Sequence, residues 1–122
     1  MSAIEPTPEA ILKFAQLPDT GPVLMLNLLK FKPNGGREAY AKYGVEVNKI
    51  LTKLGASMIF AAQPEFCLLG GQNWDLVAIA KYPSRKTFLE MVTSAEYQAI
   101  HHYREEGLDH QVLYAMSPAG GK

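Results

Sequence analysis

The chain has 122 residues, of which 48% are hydrophobic, and this length and composition suit one compact domain with its own core. Twelve basic and twelve acidic side chains give a formal net charge of zero, which argues against a nucleic-acid or membrane-surface partner. A single cysteine rules out an intrachain disulfide, and no apolar stretch reaches the roughly 18 residues of a membrane span. These features predict a cytoplasmic protein.

The first 22 residues predict a short helix ahead of the main domain. Thr7 is suited to cap this helix, and Pro8 suits its first position because proline lacks an N–H group that a helix start leaves unpaired. Pro18 is expected to end the helix. Residues 1–22 are therefore predicted to form an N-terminal helical extension.

The main domain, residues 23–116, is predicted to contain four strands and two helical regions. The strands are short apolar runs bounded by turn residues, at 23–31, 56–70, 74–82 and 111–116. Because proline disrupts strand pairing, Pro64 indicates a bulge or a kink in the second strand. The helical regions are an amphipathic helix at 37–54 and a capped region in two segments at 84–106. Residues 117–122 are predicted to be a flexible tail.

This order of elements predicts an α+β fold of the split β-α-β type, with a four-stranded antiparallel sheet and both helical regions on one face. The strands at 23–31 and 74–82 are apolar on both faces, whereas the helices can cover only one. A second copy of the chain is the expected cover for the other face, so the sequence predicts a homodimer. In the alternative, the N-terminal helix covers that face in a monomer.

Five motifs of the main domain resemble one known family. They lie at Met25–Phe31, Gly36–Gly44, Trp74–Ile79, Tyr82–Met91 and Glu96–Arg104. Together they resemble the family described as domain of unknown function 1330. The resemblance implies a ferredoxin-like fold of the dimeric α/β-barrel superfamily. That superfamily includes cofactor-free monooxygenases, haem-degrading enzymes and cyclases, so the resemblance implies no particular reaction.

Three polar residues are the candidate catalytic residues: Asn27, His101 and Arg104. Asn27 interrupts an aliphatic strand, and burying its amide without partners would cost about 1–3 kcal/mol. His101 and Arg104 share one helical stripe with Tyr97. Histidine can transfer protons near neutral pH, and arginine can fix a carboxylate or stabilise an enolate. Structural roles for all three remain the alternative.

Four aromatic residues are candidate substrate-binding residues: Tyr40, Tyr43, Trp74 and Tyr97. Tyr40 and Tyr43 are predicted to face inward, and the neighbouring Gly44 indicates close packing or room for a ligand. Each aromatic side chain could equally be part of the core. The three histidines show no regular ligand spacing, so no metal site and no cofactor are expected.

The sequence therefore predicts a small-molecule-binding homodimer. Its chemistry could be cofactor-independent acid/base catalysis of the cyclase, isomerase or monooxygenase type, on a metabolite that carries a carbonyl or a phenol. The alternative is a non-catalytic, stress-related or ligand-binding dimer. Whether the protein is an enzyme, and on which substrate, is left open by the sequence.

Overall fold

A computed structural model describes residues 5–119, and within them it shows four strands and four helices. In chain order they are α1 (Pro8–Ala15), β1 (Val23–Phe31), α2 (Gly36–Lys53), β2 (Ser57–Ala62), β3 (Leu76–Tyr82), α3 (Arg85–Thr93), α4 (Ala95–Gly107) and β4 (Leu108–Met116). The strands form one antiparallel sheet in the order β2-β3-β1-β4. This arrangement confirms the predicted α+β fold. The predicted extension and tail reach outside the described residues, at 1–4 and 120–122.

The core lies between one face of the sheet, called here the helix face, and the helices. Alternate residues of β1 point to this face, where Val23, Met25 and Leu29 are buried. Helices α2, α3 and α4 each contribute buried apolar or aromatic side chains from one side of the helix. These include Tyr43, Val47, Ile50, Leu51, Phe88, Met91 and Tyr97. In the described part of the chain, no helix is long and apolar enough to cross a membrane.

The backbones of helices α2 and α4 touch at two glycines. A Cβ atom at Gly107 would lie 2.8 Å from the carbonyl oxygen of Gly36 and 2.8 Å from the backbone nitrogen of Tyr40. The Gly107 carbonyl also accepts a hydrogen bond of 2.9 Å from the Lys32 N–H. Only glycine fits such a contact, because its lack of a side chain lets two backbones touch. The start of α2 is thereby fixed against the end of α4.

The second strand is shorter than the sequence predicted. It ends at Ala62, and residues 63–75 form a loop, so 66–69 is not part of a strand and Trp74 precedes β3 instead of beginning it. Pro64 lacks the N–H that a sheet ladder needs, and this explains why pairing with β3 stops before it. The irregularity in the strand lies earlier, where the register shifts between Met58 and Phe60.

The opposite side of the sheet, called here the outer face, is apolar and is not covered by α1. Leu26 of β1 lies opposite Ile79 of β3 and Tyr114 of β4, so all three side chains share this face. Helix α1 packs on the other side, where the Phe14 ring meets the Phe88 ring edge-on at 5.8 Å. The expectation in the monomeric alternative that the N-terminal helix covers the outer face is therefore wrong.

Candidate functional site

A cavity of about 280 Å³ lies between the helix face of the sheet and the helices. Six of the seven candidate residues line it. They are Asn27, Tyr40, Tyr43, Tyr97, His101 and Arg104. The seventh, Trp74, lies elsewhere, with its ring centroid 5.2 Å from that of His110.

The periodicities of the elements bring these side chains together. Tyr40 and Tyr43 are three residues apart on α2, and His101 and Arg104 are three apart on α4, so each pair shares one side of its helix. Asn27 lies two residues after Met25 on β1 and therefore points to the same, helix-covered face. The glycine contact between α2 and α4 sets the two helical pairs side by side.

Arg104 is the central charge of the site, and it is only 6% exposed. Its Nη2 group donates hydrogen bonds to Asn27 Oδ1, at 3.4 Å, and to Gln111 Oε1. The guanidinium carbon also lies 5.3 Å from the Tyr43 ring centroid and 5.9 Å from that of Tyr40, within cation–π distance. Asn27 in turn donates from Nδ2 to the Met25 carbonyl at 3.2 Å. The amide thus has the partners that its burial requires.

Two buried tyrosine hydroxyls meet beside the arginine. The hydroxyl oxygens of Tyr43 and Tyr97 are 2.9 Å apart, so one donates a hydrogen bond to the other. Burial raises the pKa of both phenols, an effect that the Arg104 charge only partly opposes. Both side chains are therefore neutral at neutral pH and can present a hydroxyl proton to a ligand.

His101 lies at the side of the cavity next to the N-terminal segment, and its side chain is 15% exposed. Two carboxylates flank its ring: Nε2 is 3.6 Å from Glu5 Oε2, and Nδ1 is 3.5 Å from Glu105 Oε1. The ring centroid lies 5.7 Å from that of Tyr97. Carboxylates at this distance can orient an imidazole ring. The site therefore holds a titratable group beside a fixed cation.

Comparison with known proteins identifies the family. The sequence model of the domain of unknown function DUF1330 matches residues 34–117. The chain belongs to the DUF1330 family. It is similar to RPA0582, a protein of unknown function from Rhodopseudomonas palustris, with 32% identity and a TM-score of 0.91 over 97% of this chain and 98% of that one. No curated protein matches the DUF1330 chain.

Two more distant solved structures share the fold of this DUF1330 protein. A dabb family protein with a ferredoxin-like fold from Mesorhizobium loti has 11% identity and a TM-score of 0.61, over 82% of this chain and 99% of that chain. A dimeric ferredoxin-like protein of unknown function from Jannaschia sp. has 9% identity and a TM-score of 0.66, over 80% of this chain and 100% of that chain. They confirm the ferredoxin-like fold that the motifs implied.

Two residues that line the cavity, Glu5 and Gln111, were not predicted from the sequence. Gln111 opens the apolar run of β4, and its alternation with Leu113 could have placed it on the helix face. Glu5 carries no such signal, because only the path of the N-terminal segment brings it to His101. The expectation of close packing at Gly44 was wrong, since a Cβ atom there would meet nothing within 4 Å, and Gly44 does not line the cavity. Within residues 5–119, no group of three acidic, histidine or cysteine side chains could hold a metal ion.

Proposed function

We propose that this DUF1330 protein binds a small, partly apolar metabolite in the cavity and that His101 transfers a proton to or from it. The observation that carries the proposal is the convergence of His101, Arg104 and Asn27 on one cavity with mainly apolar walls. Ligand sites typically combine such walls with a few convergent polar groups.

Each polar residue has a chemical role in this proposal. His101 acts as the general acid or base, and Glu5 and Glu105 orient its ring. Arg104 and Asn27 stabilise negative charge that develops on a carbonyl or phenol oxygen of the substrate. These side chains together supply acid/base chemistry of the cyclase, isomerase or monooxygenase type.

The tyrosines complete the substrate-binding set. The paired hydroxyls of Tyr43 and Tyr97 offer a donor to a carbonyl or phenol, and the Tyr40 ring forms part of the wall. Trp74 has no part in the proposal, because it lies outside the cavity.

A homodimer through the outer face is part of the same proposal. That face is apolar, and Tyr114 on it is 60% exposed. Exposed apolar faces of this kind often mark interaction sites. The relative from Jannaschia sp. is dimeric. Since the cavity lies on the helix side of the sheet, each protomer would keep a complete cavity after the outer faces pack together.

A deuterium-exchange experiment tests the proton transfer without knowledge of the full reaction. The protein is incubated in D₂O with a panel of small ketones, keto acids and phenols, and loss of the exchangeable carbon-bound protons is followed by ¹H NMR. We expect catalysed exchange in at least one panel member, and loss of that exchange in His101→Ala. His102→Ala is the matched control, because its side chain is exposed on the same helix.

The second candidate is a non-catalytic ligand-binding dimer. One observation favours it: Arg104 donates hydrogen bonds to both Asn27 and Gln111, which is an arrangement that a purely structural role would also explain. This candidate predicts that panel members bind, as seen by line broadening, while wild-type protein catalyses no exchange. Exchange that persists unchanged in His101→Ala would also reject the catalytic role of this residue.

A further inference from the structure

We infer that the ligand of the cavity is a small aromatic or aliphatic carboxylate, whose charged group is held by Arg104 and whose apolar part extends toward Val47 and Leu51. The inference rests on the proposed function, because it names the ligand class of the same cavity. It goes further than a carbonyl or phenol substrate by requiring a negative charge at a defined end.

The first argument is the unpaired charge of Arg104. The guanidinium is buried, and the groups within contact distance are neutral: the amides of Asn27 and Gln111 and the rings of Tyr40 and Tyr43. Among residues 5–119, no ion pair joins Arg104 to a carboxylate. Buried charges in proteins are ordinarily paired, because desolvation of a lone charge is costly. An anionic ligand would supply the missing partner.

The acidic groups that line or border the cavity do not fill this role. Glu5 and Glu105 both lie at ion-pair distance from His101, at the side next to the N-terminal segment. Both carboxylates therefore lie next to the imidazole, and neither forms an ion pair with the guanidinium, which can bind the ligand. Of the His101 imidazole and the Arg104 guanidinium, only the imidazole already has carboxylate partners.

The second argument is the order of side chains along the cavity. On α2, Tyr43 contacts the guanidinium, and Val47 and Leu51 follow one and two turns later, roughly 6 and 12 Å along the axis. On β1, Asn27 bonds to the guanidinium, and Met25 continues the same face as an apolar residue. Along α2 and β1, the groups that contact the guanidinium are therefore followed by apolar side chains. An amphiphilic carboxylate has the matching arrangement, with a charged group at one end and an apolar part at the other.

The third argument is the geometry of the guanidinium. Both hydrogen bonds to the amides come from Nη2, and the Tyr40 and Tyr43 hydroxyls are further hydrogen-bond partners of this group, which carries five N–H donors in one plane. A carboxylate can accept two parallel hydrogen bonds from such a group, which gives stronger and more directional binding than a neutral oxygen does. Arg104 therefore favours a carboxylate over an alcohol or an amide of the same shape.

Two isosteric pairs of probes test the inference on the full chain: phenylacetate against phenylacetamide, and hexanoate against hexanamide. Within each pair the two compounds have nearly the same shape, but the carboxylate is negatively charged and the amide is neutral. Binding is measured by NMR titration at constant pH and ionic strength. We expect at least one carboxylate to bind ten times more tightly or better than its amide, with shifts at resonances of the cavity residues.

Variants at Arg104 test whether its charge causes the preference for the carboxylate over the amide. Arg104→Met keeps an unbranched apolar stem without the charge and should abolish the preference for the carboxylate, whereas Arg104→Lys keeps the charge and should retain part of it. Arg37→Met is the matched control, because that guanidinium is exposed and lies over the Phe31 ring, outside the cavity. Circular dichroism verifies that each variant is folded.

The outcomes separate this inference from the proposed function. Equal binding of the amides and the carboxylates in the cavity would overturn the inference and leave small-molecule binding standing. Failure of both carboxylates to bind would also overturn it, and the deuterium-exchange panel then decides independently whether the cavity is active. The wild-type comparison is decisive even if Arg104→Met does not fold, since it needs no variant.

Discussion

Replacement of Gly107 by alanine tests how the fold positions the candidate site. The added Cβ would lie 2.8 Å from the Gly36 carbonyl oxygen, 2.8 Å from the Tyr40 nitrogen and 3.1 Å from the Tyr40 Cβ. The two closest atoms belong to the backbone, so the conflict cannot be relieved by rotation of a side chain. The ends of α2 and α4 must separate.

Overpacking of this kind typically costs about 1–3 kcal/mol of unfolding free energy. For a chain of 122 residues, 1 kcal/mol corresponds to roughly 3–6 °C in Tm. The separation would also move Tyr40 away from Arg104, because Tyr40 is one helical turn after Gly36. We therefore expect Gly107→Ala to lower stability and to weaken phenylacetate binding.

Gly44→Ala is the matched control, since Gly44 lies in the interior of α2 and a Cβ there meets nothing within 4 Å. Alanine in an unobstructed helix interior is more favourable than glycine by about 0.5–1 kcal/mol, so this variant should be at least as stable as the wild type. Urea denaturation at one protein concentration measures both variants. A Gly107→Ala protein as stable as wild type, or a Gly44→Ala protein that is the less stable of the two, would refute the reasoning.

Three further predictions concern the core, the outer face and the buried tyrosines. Leu29→Ala should cost about 2–5 kcal/mol, because this side chain is 0% exposed; a loss below 1 kcal/mol in urea denaturation would contradict its place in the core. Leu26→Glu should yield a monomer in sedimentation experiments, and a dimer that persists would place the interface elsewhere. Burial raises the pKa of Tyr43 and Tyr97, so above about pH 10 the unfolded chain loses these protons while the folded chain keeps them. Unfolding free energy should therefore fall as pH rises above about 10, and a constant value from pH 9 to 11 would argue against their burial.

The main features of the fold could be predicted because its strands and helices have clear periodicities. The long helix is amphipathic, and the strands at 23–31 and 76–82 are apolar runs between turn residues, so tertiary contacts did not override the local pattern. The predicted strand continuation over 63–70 was wrong because an apolar run such as 66–69 resembles a strand whether or not a neighbour pairs with it. Phe66 is 80% exposed in the structure, and composition alone did not reveal this.

The candidate site could be predicted only where it depends on spacing within one element. The stripe of Tyr97, His101 and Arg104 follows from the helical repeat, and the alternation along β1 places Asn27 on a defined face. Gln111 and Glu5 join the site through contacts between distant parts of the chain. No local pattern encodes those contacts, because they depend on how β4 registers with β1 and on the path of the first residues.

The roles of Arg104 in stability and in binding can be weighed against each other. Desolvating one charge costs several kcal/mol, and hydrogen bonds from a charged group contribute about 1.5–3 kcal/mol each. The bonds to Asn27 and Gln111, with the rings of Tyr40 and Tyr43, can therefore offset the burial approximately, without leaving a large surplus for folding. An apolar side chain at this position would stabilise the core at least as well. The guanidinium thus has little reason to be there for stability, whereas a ligand carboxylate would give its charge a partner.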